Sequence, residues 1–306
     1  MQTFLPVADF DETARLLDSP RLGKQRVETL QILRAMELPD YGWANHPAVR
    51  MWRGRTAALV AYGRAMVREW RARGFADSTD PLIAEFAPET ASTSQADLDG
   101  AGLLPRWVGD EELHRSHRSN LLAKDPGFYR AAFSDRWPAE RDDLPYVWPE
   151  PDDVPPVPEP HGVPVWVVRP RSHADLGACV VAGVVGLGTQ SGIDVDATGL
   201  GPVELRTLAR ELSARRPAKD LRQLSALLDD VHPGDPVALP VEHGTGLLLG
   251  EVGGDYRFQG RELLPHRRPA RWHRVVPRSA ARPPATLQDP RALFRVLLDP
   301  AVVRRD

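Results

Sequence analysis

Between Glu150 and Pro164 prolines recur every few residues among acidic side chains. Proline lacks the donor that a helix or strand interior needs, so no regular element runs through such a stretch. It divides the 306 residues into two parts, each long enough to bury a core of its own. The textures on the two sides differ. Amphipathic helical patterns dominate before it, and short β-branched runs bounded by glycine and proline follow it. The expected architecture is α+β in two domains: a mainly α-helical domain over residues 1–149, a Pro/acidic-rich linker over 150–163, and a small β-barrel-like domain with inserted helices over 164–306, ending in a helical tail.

In the first part, Pro6 keeps the opening residues extended. Asp9 or Asp11 caps a short helix over 12–17, and a second helix runs from Arg21 to Met36. The Asn45-His46-Pro47 turn precedes one long helix to Arg73, and Asp110 starts another that stops before Pro126. In the second part the expected strands include 165–169, 178–186 and 246–252, with helices over 202–215 and 221–230.

The stretch Arg21–Leu33 carries the most suggestive chemistry. Val27, Leu30 and Leu33 mark its buried side, while Arg21, Lys24, Gln25 and Glu28 share another face at helical spacing. Cations with one carboxylate among them suit a surface that grips a phosphate backbone and sets one acid beside it. The plain alternative is a solvated face of i,i+4 ion pairs.

Composition narrows the classes. With 42% hydrophobic and 26% charged residues the chain reads as globular, and no apolar run is long enough to span a membrane. No basic-then-apolar leader precedes the acidic residues near the start. The single cysteine, Cys179, excludes an internal disulfide and a cysteine-based zinc cluster. His114 and His117 have no third ligand at a familiar spacing. A cytoplasmic protein without metal or cofactor is the expectation. The net charge of -3 argues against wholesale coating of nucleic acid. A local basic patch suffices for DNA, and arginines crowd 15–73 and 106–130.

Three pieces in order carry a resemblance: Arg21-Leu22 with Gln25-Arg26-Val27-Glu28, then Asn45-His46-Pro47 with the helix ending Arg73-Gly74-Phe75, then Arg118 to Tyr129. Over residues 1–149 the chain resembles the pyrimidine-dimer DNA glycosylase (endonuclease V-like) family. In that family the N-terminal α-amine attacks the deoxyribose C1′, and a glutamate in the first long helix supports the sugar cation. The resemblance puts that glutamate at Glu28 and the amine at Met1. It puts phosphate-gripping groups at Arg21 and on the basic helix Arg115 to Lys124, Arg118 included. Lys24, Gln25 and His46 join them as DNA-binding candidates. The chemistry is coherent: an α-amine has a reference pKa of about 7.7–8 against about 10.4 for lysine, so more of it is neutral at pH 7. This chain departs from the family pattern at Gln2, a bulky residue that protects Met1 from removal; processing to Thr3 is the other route to a free amine. Trp43 and Trp52 are aromatic groups on which a base can stack, Trp52 having core packing as its competing role.

The second part, through Val165–Arg169, Gly183–Gly188, Gly234–Val237, Gly250–Tyr256 and Arg267–Trp272, resembles more loosely the PUA/EVE-like modified-base-reading domains. The resemblance implies a flipped base held between aromatic walls, with Trp166, Tyr256 and Trp272 as wall candidates and Arg169 reaching phosphate. Core packing is the competing role for each. The expected function is a DNA glycosylase with AP lyase activity on damaged or modified double-stranded DNA, with a C-terminal reader. Two alternatives stand beside it: a non-catalytic sensor that recruits an unidentified partner nuclease, and a glycoside-cleaving enzyme on free nucleotides.

Overall fold

The computed structural model describes residues 1–152, 161–188, 193–212 and 218–303. The middle of the expected linker, the end of the helix expected over 202–215 and the last three residues lie outside them. The chain divides into two compact units, Met1–Glu159 and Pro160–Asp306.

The first unit is helical. Helix α1 (Phe10–Leu16) starts at Asp9, whose carboxylate accepts the Glu12 N–H. Helix α2 (Ser19–Glu37) starts at Asp18, which accepts the Arg21 N–H, with Pro20 in the first turn where its missing donor costs nothing. Then come α3 (Pro47–Arg50), α4 (Thr56–Ala72), α5 (Asp80–Ala84), α6 (Gln95–Gly100), α7 (Glu111–Lys124) and α8 (Pro126–Phe133). Helices α2 and α4 approach closely at Gly63, where a Cβ would lie 2.4 Å from the Thr29 methyl. Any larger residue would push the two helices apart. Phe10, Trp52, Tyr62 and Trp107 interlock in the core, edge to face except for the tilted Trp52–Tyr62 pair.

Two expectations for this unit change. The long helix from Pro47 is two helices, interrupted over 51–55, where Gly54 lies at φ 76 and the Arg55 backbone (φ -118, ψ 40) is not helical. The interruption lets Trp52 turn inward, where its indole donates to Thr3. Val27 is 39% exposed, whereas Gln25, Glu28 and Thr29 are buried. Helix α2 therefore turns part of its polar face inward.

The second unit holds β1 (Val163–Val168), α9 (His173–Ala182), β2 (Val184–Leu187), α10 (Pro202–Leu212), α11 (Ala218–Asp229), β3 (Pro236–Val241), β4 (Gly246–Val252), β5 (Arg257–Phe258), β6 (His266–Pro277), β7 (Leu293–Leu298) and α12 (Pro300–Val303). The strands form one mixed seven-stranded sheet in the order β2-β6-β4-β3-β1-β7, with β5 on β6. Strands β1 and β3 are parallel, and the intervening helices supply the crossover that a parallel pair requires. Both faces of the sheet are covered. Along β1, Trp166 and Val168 enter one apolar cluster and Val165 and Val167 the other, as strand alternation demands. Among the described residues no pairing joins β2 to β7, so hydrogen bonding leaves the expected barrel open.

The run expected as a strand over 178–186 divides instead. Ser172 caps α9 through the Asp175 N–H, and Gly183 ends it in the left-handed region at φ 59 before β2 begins. The expected helical tail is mostly β7, paired antiparallel to β1, with only the short α12 after it. No helix among the described residues is long and apolar enough to cross a membrane.

Candidate active site

The first five residues belong to no helix and join no sheet. Their buried backbone groups still need partners, and side chains from α2, α4, α7 and the segment after α8 supply them. Gln25 accepts the Phe4 N–H at 3.0 Å and donates to the Gln2 carbonyl at 3.0 Å. The Tyr62 hydroxyl shares its one proton between the Gln25 side-chain oxygen at 2.7 Å and the Phe4 carbonyl at 3.0 Å, and the Tyr146 hydroxyl donates to the Thr3 carbonyl. His117 Nδ1 accepts the Leu5 N–H at 2.9 Å, while His114 Nδ1 meets the Leu5 carbonyl at 2.8 Å. Arg118 donates to the Pro6 carbonyl at 2.8 Å.

This network sets the histidine tautomers. His117 accepts at Nδ1, so its proton sits on Nε2, which is buried without a hydrogen-bond partner among the described residues. Burial lowers its pKa to about 3. His114 donates from Nδ1 and accepts the Gly109 N–H at Nε2, and burial lowers its pKa too. Both rings are neutral clamps on the chain's first residues, and Tyr146 stacks on His117 at 4.3 Å.

The clamped segment ends against Glu28. The Met1 α-amine lies 3.8 Å from Glu28 Oε1, and Lys24 Nζ lies 3.5 Å from the same oxygen. Glu28 Oε2 accepts from the Gln2 N–H and from Gln25 Nε2, both at 3.3 Å. Only 5% of Glu28 is exposed. A carboxylate held by two N–H groups and flanked by two amines has its orientation set before any ligand arrives. His46 belongs to the same neighbourhood: its pKa is lowered by burial and by the positive amine, against a smaller raising effect of Glu28. His46 Nδ1 caps α3 by accepting the Ala48 N–H, and its ring meets Trp43 at 5.7 Å and Trp148 at 6.0 Å.

Among the sequence candidates, Met1, Lys24, Gln25, Glu28 and His46 therefore gather in one place. Lys124 is near the clamped segment, its ammonium 5.7 Å from the Phe4 ring centre. Arg21 is tied to Asp18 at 2.6 Å and to the Lys124 carbonyl at 3.1 Å, joining the start of α2 to the end of α7. Arg115 is half exposed and pairs with Glu140 at 3.1 Å. Arg118 is a correction. It is 1% exposed, with Glu140, Glu111 and the Pro6 carbonyl as partners and Trp137 against its face. Such a guanidinium cannot reach a phosphate without leaving carboxylates unpaired. Trp52 is fully buried, and Trp43 is 67% exposed.

In the second unit, the four base-reading candidates are engaged in packing. Trp166 is buried, donates to Asp235 at 3.2 Å and carries Arg295 on its ring. Arg169 donates to the Leu287 carbonyl and lies against Phe294, and burial lowers its pKa. The Tyr256 hydroxyl bonds His266 at 2.8 Å, and Trp272 donates to the Cys179 carbonyl at 3.0 Å. Neither unit gathers a group of three His, Cys, Asp or Glu side chains suited to a metal among the described residues.

Residues 1–81 match the family model of pyrimidine dimer DNA glycosylase. The match spans the clamped segment, α2, the His46 turn and α4, and it supports the N-terminal resemblance over that stretch. No curated protein and no solved structure matches the chain. The sequence did not disclose that Tyr62, Tyr146, His114 and His117 hold the backbone of the first residues. The pair His114 and His117, three apart on one helical turn, was the available signal.

Proposed function

We propose that the first unit is a DNA glycosylase with AP lyase activity on damaged or modified duplex DNA. The observation that carries this reading is the α-amine of Met1 held 3.8 Å from a buried glutamate. The family match over residues 1–81 supports it independently.

In this reading the neutral amine attacks C1′ of the damaged nucleotide, and the C1′–N bond breaks as the base leaves with its electron pair and takes up a proton. Glu28 stabilises the cationic sugar and then accepts a proton from the amine nitrogen. The C1′–O4′ bond then breaks, O4′ takes up the proton that Glu28 accepted, and the nitrogen lone pair forms a protonated imine. Loss of a C2′ proton expels the 3′ phosphate, which nicks the strand, and water hydrolyses the imine to return the amine. Lys24 and Lys124 offer cationic contacts to the flanking phosphates. Gln25 positions both reacting partners, since one side chain binds the Gln2 carbonyl and Glu28. We assign the second unit the role of a nucleic-acid reader on sequence resemblance.

The test is borohydride trapping on a panel of duplexes carrying lesions or modified bases, with the adduct mapped by mass spectrometry. The expected product is a covalent adduct at the Met1 amine. Mapping to Lys24, whose ammonium shares Glu28 Oε1, would move the nucleophile. The absence of both adduct and nicking across the panel would remove the enzyme reading.

A further inference from the structure

Trp43 combines features that core packing does not explain. It is 67% exposed, although large apolar side chains gain most from burial. Its backbone lies in the left-handed region at φ 77, a conformation that disfavours any residue with a Cβ. The indole packs edge-on against His46, 5.7 Å away at 69°. His46 is the residue whose charge state feels both the Met1 amine and Glu28. A bare aromatic face thus stands against His46, on a turn whose backbone is strained.

His46 adds a fixed donor. Because Nδ1 accepts the Ala48 N–H at 3.1 Å, the neutral ring carries its proton on Nε2. That nitrogen has no hydrogen-bond partner among the described residues. On its other side the ring meets Trp148 at 6.0 Å, and Trp148 lies on Tyr146 at 4.3 Å. Tyr146 in turn donates to the Thr3 carbonyl, so this aromatic wall is built onto the segment that positions the amine.

We infer that Trp43 is the stacking platform for the extruded base, with His46 Nε2–H as the donor that meets an acceptor on that base. The inference rests on the glycosylase reading and deepens it by assigning the leaving-group side of the site. Stacking on an indole tolerates many bases because every base has an aromatic face. The His46 donor then favours bases with a carbonyl or ring-nitrogen acceptor near the glycosidic bond. The platform serves base release, whereas strand cleavage at a site that already lacks its base has nothing to stack.

The experiment compares Trp43→Gly, Trp43→Phe and wild type on two duplexes of identical sequence, one bearing the substrate base and one a preformed abasic site. Single-turnover nicking by Trp43→Gly should fall at least roughly tenfold further on the base-bearing duplex than on the abasic one, with Trp43→Phe between. Glycine relieves the left-handed backbone, so the thermal midpoint of Trp43→Gly should equal or exceed that of wild type. Equal losses on both duplexes, or none, would overturn the inference. A parallel arm needs no turnover: with 2-aminopurine at the target position, the Trp43→Gly complex should fluoresce more brightly than the wild-type complex. Equal emission would defeat the platform even if the protein nicks DNA. Quenching that depends on Trp43 in a protein that nicks nothing would retain the platform and reject the enzyme.

Discussion

The hydroxyl of Tyr62 on α4 donates at 2.7 Å to the Gln25 side-chain oxygen on α2, the same oxygen that accepts the Phe4 N–H. One amide therefore joins two helices to the N-terminal segment carrying the amine. Gln25→Ala would leave the Phe4 N–H, the Gln2 carbonyl and part of Glu28 without partners. A buried unsatisfied group costs about 1–3 kcal/mol, so urea unfolding of the first unit should show a loss in or above that range. Hydrogen exchange at Phe4 should accelerate markedly in the variant. Unchanged protection at Phe4 would mean that Gln25 is not what holds the segment.

Glu28→Gln keeps the shape and removes the charge. If Glu28 stabilises the sugar cation, single-turnover nicking should fall about 100-fold or more, the range seen when one electrostatic stabiliser is removed. Circular dichroism should remain native, since glutamine can still accept the Gln2 N–H. A fall below tenfold would show that the buried carboxylate positions the amine and does little else.

Helix starts were legible where capping is local: Asp110 before Glu111 marks α7, whereas α2, expected from Arg21, begins two residues earlier because Asp18 caps it with Pro20 in its first turn. The carboxylate of the site was legible through the spacing of Glu28 to the cations on its helix. What escaped was direction. Gln25 and Glu28 look like a solvated face in sequence, yet they are buried because the N-terminal segment needs their hydrogen bonds, while Thr29 is buried by the close approach of α4 at Gly63. The segment's other partners, His117 and Tyr146, are more than 100 residues away in sequence. No periodicity in α2 can reveal a demand created by a chain segment that pairs with no strand. The same limit hid α9, where β-branched Val180 and Val181 lie on an exposed side and the Ser172 cap and Gly183 stop decide the element.

Acid should weaken the first unit through its clamps. His117 is held neutral with a pKa of about 3, well below its unfolded value of about 6.5, so the unfolded chain binds the extra proton first. Stability is thus complete above pH 6.5 and falls as pH drops toward 3. His114 and His46, both lowered, act in the same direction. At about 1.4 kcal/mol per unit, His117 alone contributes a loss on the order of a few kcal/mol by pH 4. Thermal midpoints of wild type and His117→Gln, scanned from pH 7 to 4, should converge as the wild type loses its advantage. Parallel curves would contradict the assignment.

Arg115 and Arg118 lie three residues apart and should behave differently. Arg118→Met removes the buried partner of Glu140 and leaves it only the half-exposed Arg115, and breaking a buried pair costs about 3–5 kcal/mol. Its signature is lost stability. Arg115 is half exposed, so Arg115→Met should leave the thermal midpoint within a few degrees. It should reduce the salt dependence of duplex binding by roughly one phosphate contact. The reverse pattern would restore Arg118 as a DNA contact.

In the second unit, Gly183 and Val181 distinguish a capped helix from a strand. At φ 59, alanine in place of Gly183 adds a Cβ 3.1 Å from the Ala270 carbonyl and incurs the left-handed penalty, roughly 1–2 kcal/mol. The Gly183 carbonyl also receives the Ala270 N–H at 2.7 Å, so the strain falls where β6 pairs beside β2. Val181 is 89% exposed on α9. Val181→Lys should therefore change stability by no more than about 0.5 kcal/mol, because lysine suits an exposed helix at least as well as valine does. In a buried strand the same lysine would strand a charge among apolar neighbours and unfold the unit. Urea midpoints of the two variants decide the matter: Gly183→Ala clearly lowered and Val181→Lys near wild type is the expected pair, and the opposite order would return this run to the sheet.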